Sequence, residues 1–294
     1  MTARQQTGAT LNNWTPLSPS SYHHLSMGTV FGMTDVGLVR PSNEDNFLMD
    51  QTLGLVMISD GMGGHDAGEV ASKEVLLALR DYIQKIEVAS STDLKIAQPI
   101  TGTHHATSNA SESAQAEEAM LAIMTVSDAV EFANALLYAQ NLAMKNEEGH
   151  GMGTTLTGFW QPQHGGPLTI FHVGDSRLYR YRNGELSLLT RDQTLYQQAL
   201  DEGLTANLPS RNMLLQAMGP YATVTPEIST QSLQSSDLYL LCTDGLHGNV
   251  PDELIAQIMS KTSATNLAHA CERLIDAAKE HGSRDNITVI LLAT

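Results

Sequence analysis

Cysteine is almost absent from this 294-residue chain, which carries only Cys242 and Cys271. Two cysteines build neither a disulfide framework nor a cysteine-rich zinc site, and a reducing, cytoplasmic compartment is the expectation. Aromatic residues are scarce at 5%, and 16 basic residues face 32 acidic ones, for a formal net charge of −16. Such an acidic chain repels nucleic acid and anionic lipid, so neither is expected as a partner. No apolar run reads as long enough to span a membrane. The opening "MTARQQTGATLNNWTPLSPSSYHHL" has no apolar h-region and is not expected to be a secretory signal. No GxxxxGK[ST] motif occurs, which excludes a P-loop NTPase.

What is present is a core-forming chain, 41% hydrophobic. Residues 1–26 read as a loose polar extension and 27–294 as one large domain. Short β-prone pieces lead to a buried strand at "LGLVMIS", and helical spacing runs from Ala67 to about Ile86. The polar stretch from about 87 to 118 reads as a flexible surface insertion, with His104 and His105 as loop residues rather than ligands. A second helix is expected from about Glu118 to Asn146. Strands return at "TTLTGFW", "LTIFHVG" and "SRLYRYRNGELSLLT", the last with an Asn-Gly hairpin turn. After "SDLYLLCTDG" come two more helices and a last apolar strand, "NITVILLA". Runs of strands alternating with helix pairs predict an α+β fold, two packed sheets with a helix pair outside each.

The strand ends carry the chemistry. In "VMISDGMGGHDAG" an apolar strand stops at Asp60 and glycines follow. Asp244 follows "LYLLCT", Asp175 follows "TIFHVG", Asp285 precedes "NITVILL", and Glu44 and Asp45 open "NFLMD". One such aspartate is ordinarily a turn residue or a helix cap. Carboxylates gathered at one end of a sheet repel one another in a low dielectric unless cations neutralise them. An all-oxygen donor set suits Mg²⁺ or Mn²⁺ rather than zinc. Gly61, Gly63 and Gly64 would let the backbone turn tightly and bring a carbonyl to such an ion.

The segments "TDVGLVRPSNEDNF", "ISDGMGGHDAGEVAS", "GMGTTLTG", "FHVGDSRLYRYRNGELSLLTRDQT", "CTDGLHGNV" and "RDNITVILL" together resemble the metal-dependent serine/threonine phosphatases of the phosphatase 2C type, in their bacterial form. The resemblance spans about Thr34 to Leu292. It implies a four-layer αββα sandwich, two antiparallel sheets flanked by helix pairs, with a dinuclear Mn²⁺ or Mg²⁺ centre. Asp60 would bridge the two ions. Asp244 and Asp285 would complete one site, and Glu44 with the Gly61 carbonyl would serve the other. Asp45 would hold metal-bound water, Arg40 would bind the substrate phosphate, and Asp175 with Asp244 would hold a weaker third ion. Residues from about Gln193 to Gly219 would form a flap. The implied activity is hydrolysis of phosphoserine and phosphothreonine by activated water, without a phospho-enzyme, in a monomer acting on phosphoproteins. Those would include a Ser/Thr kinase that the enzyme opposes.

Departures from the family pattern are Met62, where animal members carry a histidine proposed as general acid, and Gln193, where a histidine is common. His65 is an alternative proton donor. Two rival readings remain: a two-metal nuclease or nucleotidyl transferase, disfavoured by the acidic balance and the lack of a basic aromatic patch, and a catalytically dead binding module, disfavoured because every ligand position is filled.

Overall fold

The computed structural model describes residues 15–63, 67–96, 108–145, 147, 150–162 and 166–294, with backbone alone for 90–96 and 108–114. Two antiparallel sheets face each other. The first orders its strands β1 (His23–Leu25), β2 (Gly28–Asp35), β12 (Ile287–Ala293), β11 (Leu238–Cys242), β8 (Arg177–Arg182) and β9 (Glu185–Leu188). The second runs β10 (Glu227–Gln231), β7 (Leu168–Val173), β6 (Leu156–Trp160), β4 (Leu55–Met62) and β3 (Asp45–Asp50), with β5 (Gly153–Thr154) paired to the end of β4. Helices α1 (Ala67–Ile96) and α2 (Ser108–Ala143) cover the second sheet. Helices α5 (Asp252–Met259) and α6 (Leu267–Glu280) cover the first. Short helices α3 (Leu195–Asp201) and α4 (Asp244–His247) lie in connections.

The period-2 pleat explains why the central strands read as unbroken apolar runs. In β12, Ile287, Val289, Leu291 and Ala293 pack toward α6, while Ile290 and Leu292 pack toward the other sheet. In β4, Leu55 and Met57 face α1, while Val56 and Ile58 face the opposite sheet. Each sheet is therefore buried on both faces, and three apolar layers stack between four layers of structure. This is the α+β sandwich that the element order and the resemblance both predict. The Asn-Gly turn also forms: Arg182 pairs with Glu185 across Asn183 and Gly184, both with positive φ.

Three expectations need correction. Residues 15–26 are not a loose extension, because their polar groups bind the second sheet while β1 extends the first. Leu17 N donates to Asn46 Oδ1 at 2.9 Å, Met49 N donates to Ser18 Oγ at 2.8 Å, and β1 pairs with β2. Residues 1–14 lie outside the described residues. The polar stretch 87–118 is largely helical, since α1 runs on to Ile96 and α2 begins at Ser108. Alanine, serine and glutamate look polar in composition, yet the chain continues the two packed helices for several turns. Of that stretch, 97–107 with His104 and His105 lie outside the described residues. Finally, Gln115–Ala143 is long and apolar enough to cross a membrane by length and composition, with 44% of that window buried. Its inner face, including Val126, Val130 and Leu137, belongs to the core under the second sheet.

Candidate metal centre

The sheet geometry gathers the acidic residues. Asp45 and Asp60 are cross-strand partners at the ends of β3 and β4. Both continue the parity of Phe47 and Ile58, whose side chains fill the space between the sheets. Asp244 follows β11 and Asp285 precedes β12, and those two strands are antiparallel neighbours. Asp175 follows β7. Burial, followed by the charges of Asp45, Asp244, Asp175 and Asp285, pushes the Asp60 carboxyl well above the usual range. Four segments thus bring carboxylates around one side chain.

Asp45 ties the two sheets together. Its Oδ2 accepts from Thr243 Oγ1 at 2.9 Å and from Thr288 Oγ1 at 2.6 Å, both from the opposite sheet. Its Oδ1 is buried without a partner among the described residues, as is Asp244 Oδ1. Burial raises the Asp45 carboxyl against those two hydrogen bonds. Burial and Asp285 raise Asp244, partly relieved by a hydrogen bond with Asp60. Glu44 is fixed through its backbone, its N–H donating to Asn286 Oδ1 at 2.8 Å and its carbonyl accepting from Gly61 N at 3.2 Å. A side chain at Gly61 would collide with the carbonyls of Gly68 and Glu44, so glycine is required for this close approach.

Asp175 is 8% exposed, and burial beside Asp244 and Asp192 pushes its carboxyl up to about 8. Two connections fix its turn. His247 Nε2 lies 2.9 Å from the Asp175 carbonyl, where it serves as donor. Gln193 clasps Gly174: Gly174 N donates to Gln193 Oε1 at 3.0 Å, and Gln193 N donates to Gly174 O at 2.7 Å. Gln193 O also accepts from Leu215 N at 2.7 Å. The glutamine that departs from the family pattern therefore links the Asp175 turn to the 193–219 segment. That segment contains α3, capped by Thr194, and is anchored where Met218 and Thr154 exchange backbone hydrogen bonds at 2.9 and 3.1 Å.

Sequence reasoning missed a hydroxyl strut. Asp60 N donates to Thr155 Oγ1 at 2.9 Å, and Thr155 Oγ1 lies 2.8 Å from Ser176 Oγ, with both hydroxyl residues buried. It links Asp60 to the residue after Asp175. The signal lay in "GMGTT" and "GDSR", which read as family motifs without a stated role for their hydroxyls. Also missed was Arg177, which forks onto Asp192 with both nitrogens at 2.8 Å beside the Asp175 cavity. Gly64 and His65 lie outside the described residues. Met62 is half-buried on β4, its sulfur-bound methyl against Gly153.

The donor set suits hard divalent cations: oxygen donors alone, two buried carboxylate oxygens without partners, and carboxyls raised by burial and mutual repulsion. Among the described residues, no three of these groups are drawn together as tightly as a closed coordination shell requires. Like charges at short range push apart, and Asp285 is turned to Arg40, whose Nη2 donates to its Oδ2 at 2.7 Å. Arg40, half-exposed, stands at the rim beside Asp244 and Asp285 in a cavity of about 430 Å³.

This two-sheet αββα sandwich carries an acidic oxygen-donor cluster at one end, as a metal-dependent hydrolase requires. A sequence profile described as protein phosphatase 2C matches residues 41–287, and the chain belongs to that family. It is 34% identical over 263 residues to the serine/threonine protein phosphatase PstP of Mycobacterium tuberculosis, covering 88% of this chain and 43% of that protein. The chain thus spans less than half the length of that relative. It is 33% identical to the serine/threonine phosphatase stp of Listeria monocytogenes, over 88% of this chain and 93% of the other. The crystal structure of the M. tuberculosis phosphatase PstP/Ppp aligns with a TM-score of 0.69 at 31% identity, covering 90% of this chain and 98% of the other. The PstP catalytic domain solved with two manganese ions aligns at 0.67 and 32% identity, covering 89% and 96%.

Proposed function

We propose that this chain is a protein serine/threonine phosphatase that works with two Mg²⁺ or Mn²⁺ ions and a weaker third. The observation that carries the reading is the surroundings of Asp60: a half-buried carboxyl among four others, with Arg40 at the rim. The relatives named as serine/threonine phosphatases, and the PstP domain with two manganese ions, support it. Asp60, Asp244, Asp285, Glu44 and the Gly61 carbonyl would hold the core ions, and Asp175 with Asp244 the third. When bound, such ions supply Lewis-acid activation of water and neutralise charge on a phosphoryl group.

The chain's own groups account for the rest. Asp45 Oδ1 is free to accept a hydrogen bond from the attacking water, while Thr243 and Thr288 fix Oδ2 and hence the carboxylate's plane. Arg40 offers a planar donor fork that a phosphate dianion can take in place of Asp285. Both cysteines are buried, with thiols pushed up by burial, which leaves them poor nucleophiles. The substrates are phosphoproteins, so the class of enzyme that must supply them is a Ser/Thr protein kinase.

Hydrolysis of p-nitrophenyl phosphate and of a phosphothreonine peptide, each with Mn²⁺ and with EDTA, tests the reading. Turnover that requires the cation supports it. A folded protein with no Mn²⁺-dependent turnover on either substrate sinks it.

A further inference from the structure

The cavity that contains Arg40 holds a second arginine. Arg284, the residue before Asp285, is exposed and lines the same cavity of about 430 Å³ with Arg40, Asp244 and Asp285. Its position differs from that of Arg40 in one respect. Arg40 is paired with Asp285, whereas Arg284 has no ion-pair partner among the described residues. In a chain of net charge −16, the two arginines that line this mouth offset the carboxylates of Asp244 and Asp285 beside them. The cavity also exceeds what one phosphate fills, given the roughly 30 Å³ share of a single water molecule in the liquid. Its wall includes Val39, 53% exposed, next to Leu38 at 67%.

We infer that Arg284 forms a subsite for an acidic residue flanking the phosphorylated one, so that the enzyme favours phosphopeptides with Asp or Glu beside the phosphoresidue. This rests on the phosphatase reading and deepens it. Arg40 would take the phosphate, and Arg284 the neighbouring carboxylate, with Leu38 and Val39 against the peptide's apolar stems. A fork of five donors that forms no ion pair among the described residues is suited to that role. The bland alternative is that Arg284 only offsets the repulsion of Asp244 and Asp285. That role would act on every substrate alike.

The test compares three phosphothreonine peptides that differ only in acidic, alanine or basic flanking residues. It reads kcat/KM in Mn²⁺ for wild type, Arg284→Ala, Arg284→Lys and Arg284→Glu. Wild type should favour the acidic over the alanine peptide by about three- to fivefold, the size of one exposed ion pair. Arg284→Ala should abolish that ratio, Arg284→Lys should keep most of it, and Arg284→Glu should shift preference to the basic peptide. Hydrolysis by wild type without charge preference overturns the subsite alone. A fall of equal size on all three peptides in Arg284→Ala overturns it in favour of the field-balancing role. Absence of any Mn²⁺-dependent hydrolysis in wild type sinks the phosphatase reading, and the subsite with it.

Discussion

Arg40 Nη2 donates to Asp285 Oδ2 at 2.7 Å, joining the proposed phosphate anchor to a proposed metal ligand. Asp285, with Asp60 and Glu44 behind it, favours the charged guanidinium. A cation and a phosphate would together split this pair, the cation taking the carboxylate and the phosphate taking the arginine. Arg40→Ala should therefore move two readouts in opposite directions. KM for a phosphopeptide should rise about three- to tenfold, the scale of a charged hydrogen bond discounted for exposure. Calorimetric Mn²⁺ affinity without substrate should increase, because Asp285 loses its competitor. Unchanged values of both would make Arg40 an ordinary surface arginine.

Asp60 is the most crowded carboxyl. Replacing it by the isosteric amide removes the charge that four neighbours repel. Asp60→Asn should abolish Mn²⁺-dependent hydrolysis and at the same time raise the Tm of the protein in EDTA at pH 8. It should also shrink the Tm gain that Mn²⁺ produces. Turnover like wild type in the folded variant would remove Asp60 from the centre of the site.

The same repulsion sets a pH dependence. Asp175 is pushed up to about 8, and Asp45 and Asp60 are raised as well, so the folded chain holds protons that the unfolded chain releases near 3.8. Stability from such groups is full below the unfolded value and is lost as pH rises through the folded one. Buried His172 and His247 act oppositely, lowered to about 4 and about 3, but their effect is complete above about 6.5. Between pH 6.5 and 8 the raised carboxyls therefore set the trend among the described residues, so Tm in EDTA should fall across that window. Saturating Mn²⁺ should flatten the fall. A Tm that rises across that window in EDTA would contradict the buried, mutually repelling site.

Much of this was legible in the sequence because strand parity and strand ends leave local traces. "VMISDG" and "CTDG" mark where buried runs meet carboxylates, and "NITVILLA" marks a strand covered on both faces. What was not legible depends on partners far away in sequence. Thr243 and Thr288 reach Asp45 across the gap between sheets, and Ser176 meets Thr155 between strands. A lone hydroxyl residue carries no periodic signal. Nor did composition reveal that the Ser- and Ala-rich stretch after Ile86 continues the two helices, since its residues lack the apolar periodicity that marks their packed parts.

The Thr155–Ser176 strut can be tested by removing either hydroxyl. Each leaves a buried group short of a partner, at a cost of about 1–3 kcal/mol. Thr155→Val and Ser176→Ala should each destabilise on that scale, and the double variant should cost less than their sum. Thr155→Ser keeps the oxygen and should restore both stability and kcat. Strict additivity would mean that the two hydroxyls act separately.

Asp175 separates two uses of metal. It lies on a turn of its own, held by His247 at its carbonyl and by Gln193 through Gly174, apart from the cross-strand pair Asp45 and Asp60. Its cavity, about 350 Å³, is bounded by Asp244 and by residues of the 193–219 segment such as Thr194 and Asn212. An ion held there by Asp175 and Asp244 has few protein ligands and should be the weakest bound, keeping most of its water. Asp175→Ala should therefore leave two tight Mn²⁺ sites in a calorimetric titration and remove the weakest. Met62 cannot donate a proton, and an ion held by Asp175 and Asp244 would supply Lewis-acid polarisation of water beside the leaving group, so kcat on a phosphoprotein should fall steeply. The fall should be smaller on p-nitrophenyl phosphate, whose leaving group is a far weaker base and needs less protonation. Loss of a tight site in the variant would make Asp175 a ligand of the core pair. Unchanged kcat on the phosphoprotein would reduce it to a turn residue and move the proton donor to His65.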